Sequence, residues 1–115
     1  HASYRRQRQM CIRDSANITG GGITENIPRI IPKHLAADID LNSWKFPKAF
    51  QWLQEKGKIS NEDMLRIFNC GIGLAVILPL SEVKSFENLA SKYKFKTHRI
   101  GKIVKRTQGE LTYLN

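Results

Sequence analysis

No segment of this sequence is long and apolar enough to cross a membrane as a helix. The longest nearly unbroken apolar run, IGLAVILPL at residues 72–80, falls well short of the roughly 20 residues that a spanning helix needs. Cysteine is scarce as well. Cys11 and Cys70 are the only two, too few for a disulfide framework, so a reducing compartment is expected. Histidine is limited to His1, His34 and His98, which are too scattered for a metal site, and no pair of carboxylates has a spacing that singles it out. There is no internal repeat, no Walker lysine and no dinucleotide fingerprint. What remains is a chain of 115 residues, 41% of them hydrophobic. That suits one domain, or a piece of a larger one, and is too little for two independent cores.

Acidic residues are also few, and the formal charge is +9. The first fifteen residues, HASYRRQRQMCIRDS, hold four Arg against one Asp, and their apolar residues fit neither a helix face nor a strand. They lack the apolar centre of a secretory signal and read as a basic segment foreign to the fold, whose deletion should leave thermal stability nearly unchanged. The rest of the charge lies late. Between residues 84 and 106 eight Lys and Arg face only Glu87, at the polar positions of a helix and then at alternate positions of a strand. A solvated surface does this by default, and no aromatic platform accompanies it. Nucleic acid is therefore not the expected partner, although a stand-alone basic module binding a polyanion is the rival reading.

The apolar spacing predicts α+β architecture, a mixed and partly antiparallel sheet packed by helices. LAADIDL (35–41) reads as a strand. Phe46, Ala49, Phe50 and Leu53 follow helical spacing, with Pro47 in the first turn and Gly57 at the C-terminal cap. Ser60 with Asp63 resembles a capping box for a second helix carrying Met64, Leu65, Ile67 and Phe68 and stopping at Asn69–Gly71. GIGLAVIL reads as a strand buried on both faces. Ser81 is expected to cap a helix whose Val83, Phe86, Leu89, Ala90 and Tyr93 face the sheet. THRIGKIVK and ELTYLN are expected to pair as a hairpin across Gln108 and Gly109.

Chemistry is sparser. In NITGGGITENIPRIIP (17–32) a glycine turn feeds a helical segment whose length Pro28 and Pro32 restrict, so Gly20, Gly21 and Gly22 can turn backbone N–H groups toward an anion, with Thr19 adding a hydroxyl. The alternative is an ordinary turn. Glycines 71 and 73 in FNCGIG pose the same choice, between close approach of a ligand and a bulge or tight turn. Cys70 has no neighbouring histidine and no helix terminus to activate it, and reads as a small buried thiol. Trp44 and Trp52 read as packing residues.

The segments ITGGGITENIPRIIP, SWKFPKAFQWLQEKGKISNEDMLRIFNCGIGLAVILP and IGKIVK, in that order, resemble the C-terminal domain of phosphoribosylformylglycinamidine cyclo-ligase, also called aminoimidazole ribonucleotide synthetase. The likeness runs from about residue 16 to residue 104 or beyond, so the division expected is a foreign segment at 1–15 and this domain at 16–115. The resemblance implies a cytoplasmic enzyme of purine biosynthesis that uses ATP and Mg2+ to close an imidazole ring. The formyl amide oxygen is activated as a phosphate ester, an amidine nitrogen attacks it, and phosphate leaves. It also implies a homodimer of the full-length enzyme and a missing N-terminal domain that binds most of the ATP and Mg2+, leaving this chain inactive alone. Carried over residue by residue, Thr19, Gly20, Gly21 and Gly22 would line the cleft and approach a phosphate. Asn26 and Arg29 would orient substrate or pair with phosphate, or else tie the loop down, and Asn69, Gly71 and Gly73 would sit on the adjoining loop. Catalytic residues are not identified. Where the family motif begins HITGGG this chain has Asn17, which hydrogen-bonds but does not titrate near neutral pH, so a proton-transfer role there would be lost.

Overall fold

The computed structural model describes residues 13–115, and its centre forms where two glycine-bearing loops meet a short apolar helix. Strand β1 (Asp14–Asn17) leads through the glycine turn into α1 (Gly22–Asn26) and a single 3-10 turn at Pro28–Ile30. Strand β2 (Leu35–Asp40) is followed by α2 (Lys48–Gly57), α3 (Asn61–Ile67), β3 (Leu74–Ile77), α4 (Leu80–Lys92), β4 (Gly101–Lys105) and β5 (Leu111–Leu114). The strands form two sheets. β1 and β3 make an antiparallel ribbon, while β2 lies between β4, antiparallel to it, and β5, parallel to it. This is the expected mixed α+β class.

Helix α3 supplies the middle of the core because the periodicity of its sequence turns Met64 and Leu65 inward, and both are fully buried with Ile23 and Cys70. Its start follows the expected chemistry: Ser60 Oγ accepts from the Asp63 N–H at 3.1 Å. Trp44 closes the core from the side, donating its indole N–H to the Cys70 carbonyl at 3.0 Å, whereas Trp52 is exposed. Helix α2 buries no residue completely; Phe50 and Phe68 meet with ring centroids 5.8 Å apart. Its left-handed cap is Lys58 (φ 53°), one residue beyond the expected Gly57, which stays in the helix.

Four expectations need correction. The last two strands do not form a hairpin, since both pair with β2. β2 carries buried Leu35, Ala36, Ala37 and Ile39, so it takes the central place. Gly101 lets β4 come close, because a Cβ there would lie 2.0 Å from the Asp38 carbonyl oxygen. β3 is not buried on both faces: among the described residues its only partner strand is β1, and Leu74 is 55% exposed. Ser81 does not cap α4, which begins one residue earlier behind Pro79, whose carbonyl accepts from the Glu82 N–H. The apolar stripe of α4 is only partly covered, with Leu89 and Tyr93 exposed.

The basic segment and Cys11 lie, up to residue 12, outside the described residues. The boundary after residue 15 falls inside a strand, since Asp14 pairs with Ile77, Ser15 pairs with Val76, and Arg13 forms an ion pair with Glu82. No helix among the described residues is long and apolar enough to cross a membrane. Deleting residues 1–15 removes half of β1, so the melting temperature should fall by about 4 °C or more in differential scanning calorimetry, the shift that roughly 1 kcal/mol makes in a domain of this size. An unchanged melting temperature would show that the ribbon contributes nothing.

Candidate functional site

The two glycine loops predicted from separate parts of the sequence lie side by side. The Ile18 N–H donates to the Gly73 carbonyl at 2.9 Å, continuing the β1–β3 ladder by one step and joining the first loop to the second. Ile18 is buried, so the bond is shielded from water. Thr19 and Gly20 then run over the surface, and the chain turns back when the Gly22 N–H donates to the Thr19 carbonyl at 2.9 Å.

Gly22 is what seats this turn. Its φ is +62°, and a Cβ there would lie 2.1 Å from the Leu65 carbonyl oxygen and 2.6 Å from that of Phe68. The backbone of α1 therefore rests directly on the last carbonyls of α3. Gly21 (φ +98°) and Gly71 (φ +97°) also have left-handed backbones and no room for a side chain, the first against Glu25 and the second against Pro47. These three glycines are explained by the fold. Gly20 and Gly73 are not: a Cβ on either would meet nothing within 4 Å, and neither has a left-handed φ. Both are exposed, and they border the junction of the two loops.

The polar residues divide in the same way. Asn26 is buried and faces inward, its amide N–H groups donating to the carbonyls of Gly22 at 2.8 Å and Gly20 at 3.2 Å. That is the loop-tying alternative. Asn69 does likewise in the second loop, accepting from the Gly71 N–H at 2.8 Å. Arg29 is different: its guanidinium stands in solvent beside the turn, steadied by Asn26 Oδ1 at 3.4 Å and Glu25 at 3.9 Å. Thr19 is exposed. Of the nine candidates, Thr19, Gly20, Arg29 and Gly73 are exposed at the loop junction with no packing role, and the other five hold the loops in shape.

Two contributors had no signal in the sequence. Thr24 Oγ1 donates to the Leu65 carbonyl at 3.2 Å, which leaves the Tyr113 hydroxyl as donor in their 2.6 Å contact. Burial pushes the Tyr113 phenol above its ordinary value. The pair is 89 residues apart in sequence, and an expected β4–β5 hairpin gave no reason to bring β5 against α1. Cys70 is fully buried, its thiol donating to the Met64 carbonyl at 3.3 Å, and burial pushes its pKa up to about 11. It stays protonated and is not a nucleophile near neutral pH.

The loop junction is an exposed surface. A shallow pocket of about 450 Å³ is lined by Asp38, Asp40, Arg99 and Lys102 among others, and includes none of the nine candidates. Among the described residues no three His, Cys, Asp or Glu side chains come together as metal ligands.

Comparison with known proteins bears on this geometry. Residues 12–114 match the model of the AIR synthase related protein, C-terminal domain. The chain belongs to that family. A phosphoribosylformylglycinamidine cyclo-ligase from Neisseria meningitidis is 42% identical over 99 residues, 86% of this chain and 28% of the relative. A cyclo-ligase of the same name from Neisseria gonorrhoeae is 44% identical over 86% of this chain and 29% of its own length. The human trifunctional purine biosynthetic protein adenosine-3 is 39% identical over 94 residues, 82% of this chain and 9% of that protein. This AIR synthase-type domain thus spans under a third of the cyclo-ligases it matches.

The division among the glycines is open to test. Gly22→Ala places a methyl group against backbone carbonyls at a left-handed φ and should cost about 2–4 kcal/mol. Gly20→Ala meets nothing and should leave the melting temperature within about 1 °C. Equal effects in thermal unfolding would contradict the assignment of Gly22 to packing and Gly20 to an open surface.

Proposed function

We propose that this chain is the carboxyl-terminal part of a cyclo-ligase that closes the imidazole ring of phosphoribosylformylglycinamidine to give aminoimidazole ribonucleotide in purine biosynthesis. The observation that carries the reading is the meeting of the two glycine loops in a chain more than 40% identical to enzymes of that name. On this reading Gly20 and Gly73 give bare backbone to a phosphate of substrate or nucleotide, Thr19 adds a hydroxyl, and Arg29 adds a guanidinium fork suited to phosphate oxygens. Asn26, Asn69, Gly21, Gly22 and Gly71 keep that surface in one conformation before the ligand arrives, which lowers the ordering cost of binding.

The donor set fits a phosphate and does not fit a metal ion, because among the described residues no cluster of three metal-ligating side chains stands beside the loops. ATP would supply the phosphoryl group that converts the formyl oxygen into a leaving group, and Mg2+ would be held by the part of the enzyme absent from this chain. The residues here would bind and orient, and exclude water once the other part closes over them. Holding the attacking nitrogen near its target is worth roughly 7–11 kcal/mol in well-oriented systems. No general acid or base is assigned to this chain. The reading places the enzyme in the cytoplasm as a homodimer and makes this chain inactive alone.

The test is ring closure. The chain alone should give no aminoimidazole ribonucleotide. When it is combined with the portion of the Neisseria meningitidis relative that precedes the matched residues, ATP-dependent ring closure should appear, and Arg29→Ala should lower it about tenfold or more, the loss of a charged hydrogen bond. Tight oligonucleotide binding with steep salt dependence, and no ring closure in the mixture, would contradict the proposal.

A further inference from the structure

Where the β1–β3 ribbon runs into α4, apolar side chains stand in solvent. Leu74 is 55% exposed, Val76 36% and Leu80 82%. The strand register explains the first two. Leu74 pairs with Asn17 and Val76 with Ser15, so these four residues share the face pointing away from the core, while Ala16 and Ala75 point into it. A two-stranded ribbon with a bare apolar face and open edges is marginal in water and usually belongs to a larger assembly.

The polypeptide enters the fold at this same place. Asp14 pairs with Ile77, and Arg13 bonds to Glu82 in the first turn of α4, so the start of β1 lies beside the start of α4. The family match is to a C-terminal domain, and the matched residues are only 28% of the Neisseria meningitidis relative. On the proposed reading, the bulk of the longer protein precedes β1. Ser15 and Asn17 add hydrogen-bonding groups to the ribbon face but no charge, so a complementary surface is apolar and uncharged at its centre.

We propose that the outer face of the β1–β3 ribbon, with Leu80 at the start of α4, is the docking surface for the polypeptide that precedes this chain in the longer protein. That polypeptide covers Leu74 and Val76 with apolar side chains of its own. The inference rests on the reading of the chain as the carboxyl-terminal part of a longer enzyme. It names the surface through which the two parts join.

The experiment titrates the 115-residue chain with the portion of the Neisseria meningitidis relative that precedes the matched residues, using calorimetry. One-to-one binding is expected, and the double variant L74S/V76S should weaken it about tenfold or more through lost apolar burial. Because both side chains are exposed in the chain alone, its melting temperature should stay within about 2 °C of the parent. Trp52→Ser removes another exposed apolar side chain, on α2, and should bind as the parent does. The proposal is overturned if the parent chain does not bind or if binding ignores L74S/V76S. It is also overturned if the chain forms a dimer that L74S/V76S dissolves, which would assign the face to a second copy. Ring closure in the same mixture reads the proposed function separately. Binding that responds to L74S/V76S without ring closure keeps the docking surface and counts against that function, whereas ring closure that ignores L74S/V76S does the reverse.

Discussion

The contact on which the rest of this structure depends is the seating of the Gly22 backbone on the last carbonyls of α3. A helix end presents carbonyl groups without intrahelical partners, and only a residue with no Cβ can bring a second segment so near to them. Thr24 occupies one of these carbonyls, that of Leu65, through its hydroxyl. Because α1 is fixed here, Ile23 and Ile27 fill the space between α3 and the loops and are almost entirely buried. Ile18 is then placed to bond Gly73, and the two loops become one surface. Burial of these isoleucines, Met64 and Leu65 supplies the apolar stabilisation, while the Asn26 amide adds hydrogen bonds to the carbonyls of Gly20 and Gly22.

This arrangement separates two tasks that the glycines appeared to share. Gly21, Gly22 and Gly71 are explained by backbone conformation and close packing. Gly20 and Gly73 have no such explanation and lie at the open edge of the junction, where accessible backbone suits a ligand's approach. Among the described residues, the best-formed pockets of this chain lie away from the loops. Its relatives are more than three times as long as the part matched here, and a cleft needs two walls.

Much of this was legible from the residues. The Ser60 cap, the burial of Met64 and Leu65, the inert Cys70 and the β2 strand all followed from local chemistry and periodicity. So did the candidate loops, because runs of glycine before an apolar segment mark places where the backbone must do something unusual. Long-range pairing was not legible. An alternating strand such as IGKIVK states which face is apolar and not which neighbour it joins, so β4 and β5 were assigned to each other and not to β2. The Tyr113–Thr24 contact was hidden for the same reason. GIGLAVIL looked doubly buried because apolar residues occupy both faces, yet one face stays bare in this chain. For Asn26 and Arg29 the choice between ligand and tie stayed open, since sequence reports a polar group but not the direction in which it points.

The central claim is that the two loops and the end of α3 are one cooperative unit, and native-state hydrogen exchange tests it directly. The amides to follow are Ile18, bonded to the Gly73 carbonyl; Gly22, bonded to that of Thr19; and Phe68, bonded to that of Met64. If the seating of Gly22 holds the unit together, all three should open with one shared free energy, within about 0.5 kcal/mol, and respond alike to denaturant. Exchange of Ile18 and Gly22 through nearly free local opening, while Phe68 remains strongly protected, would contradict the account.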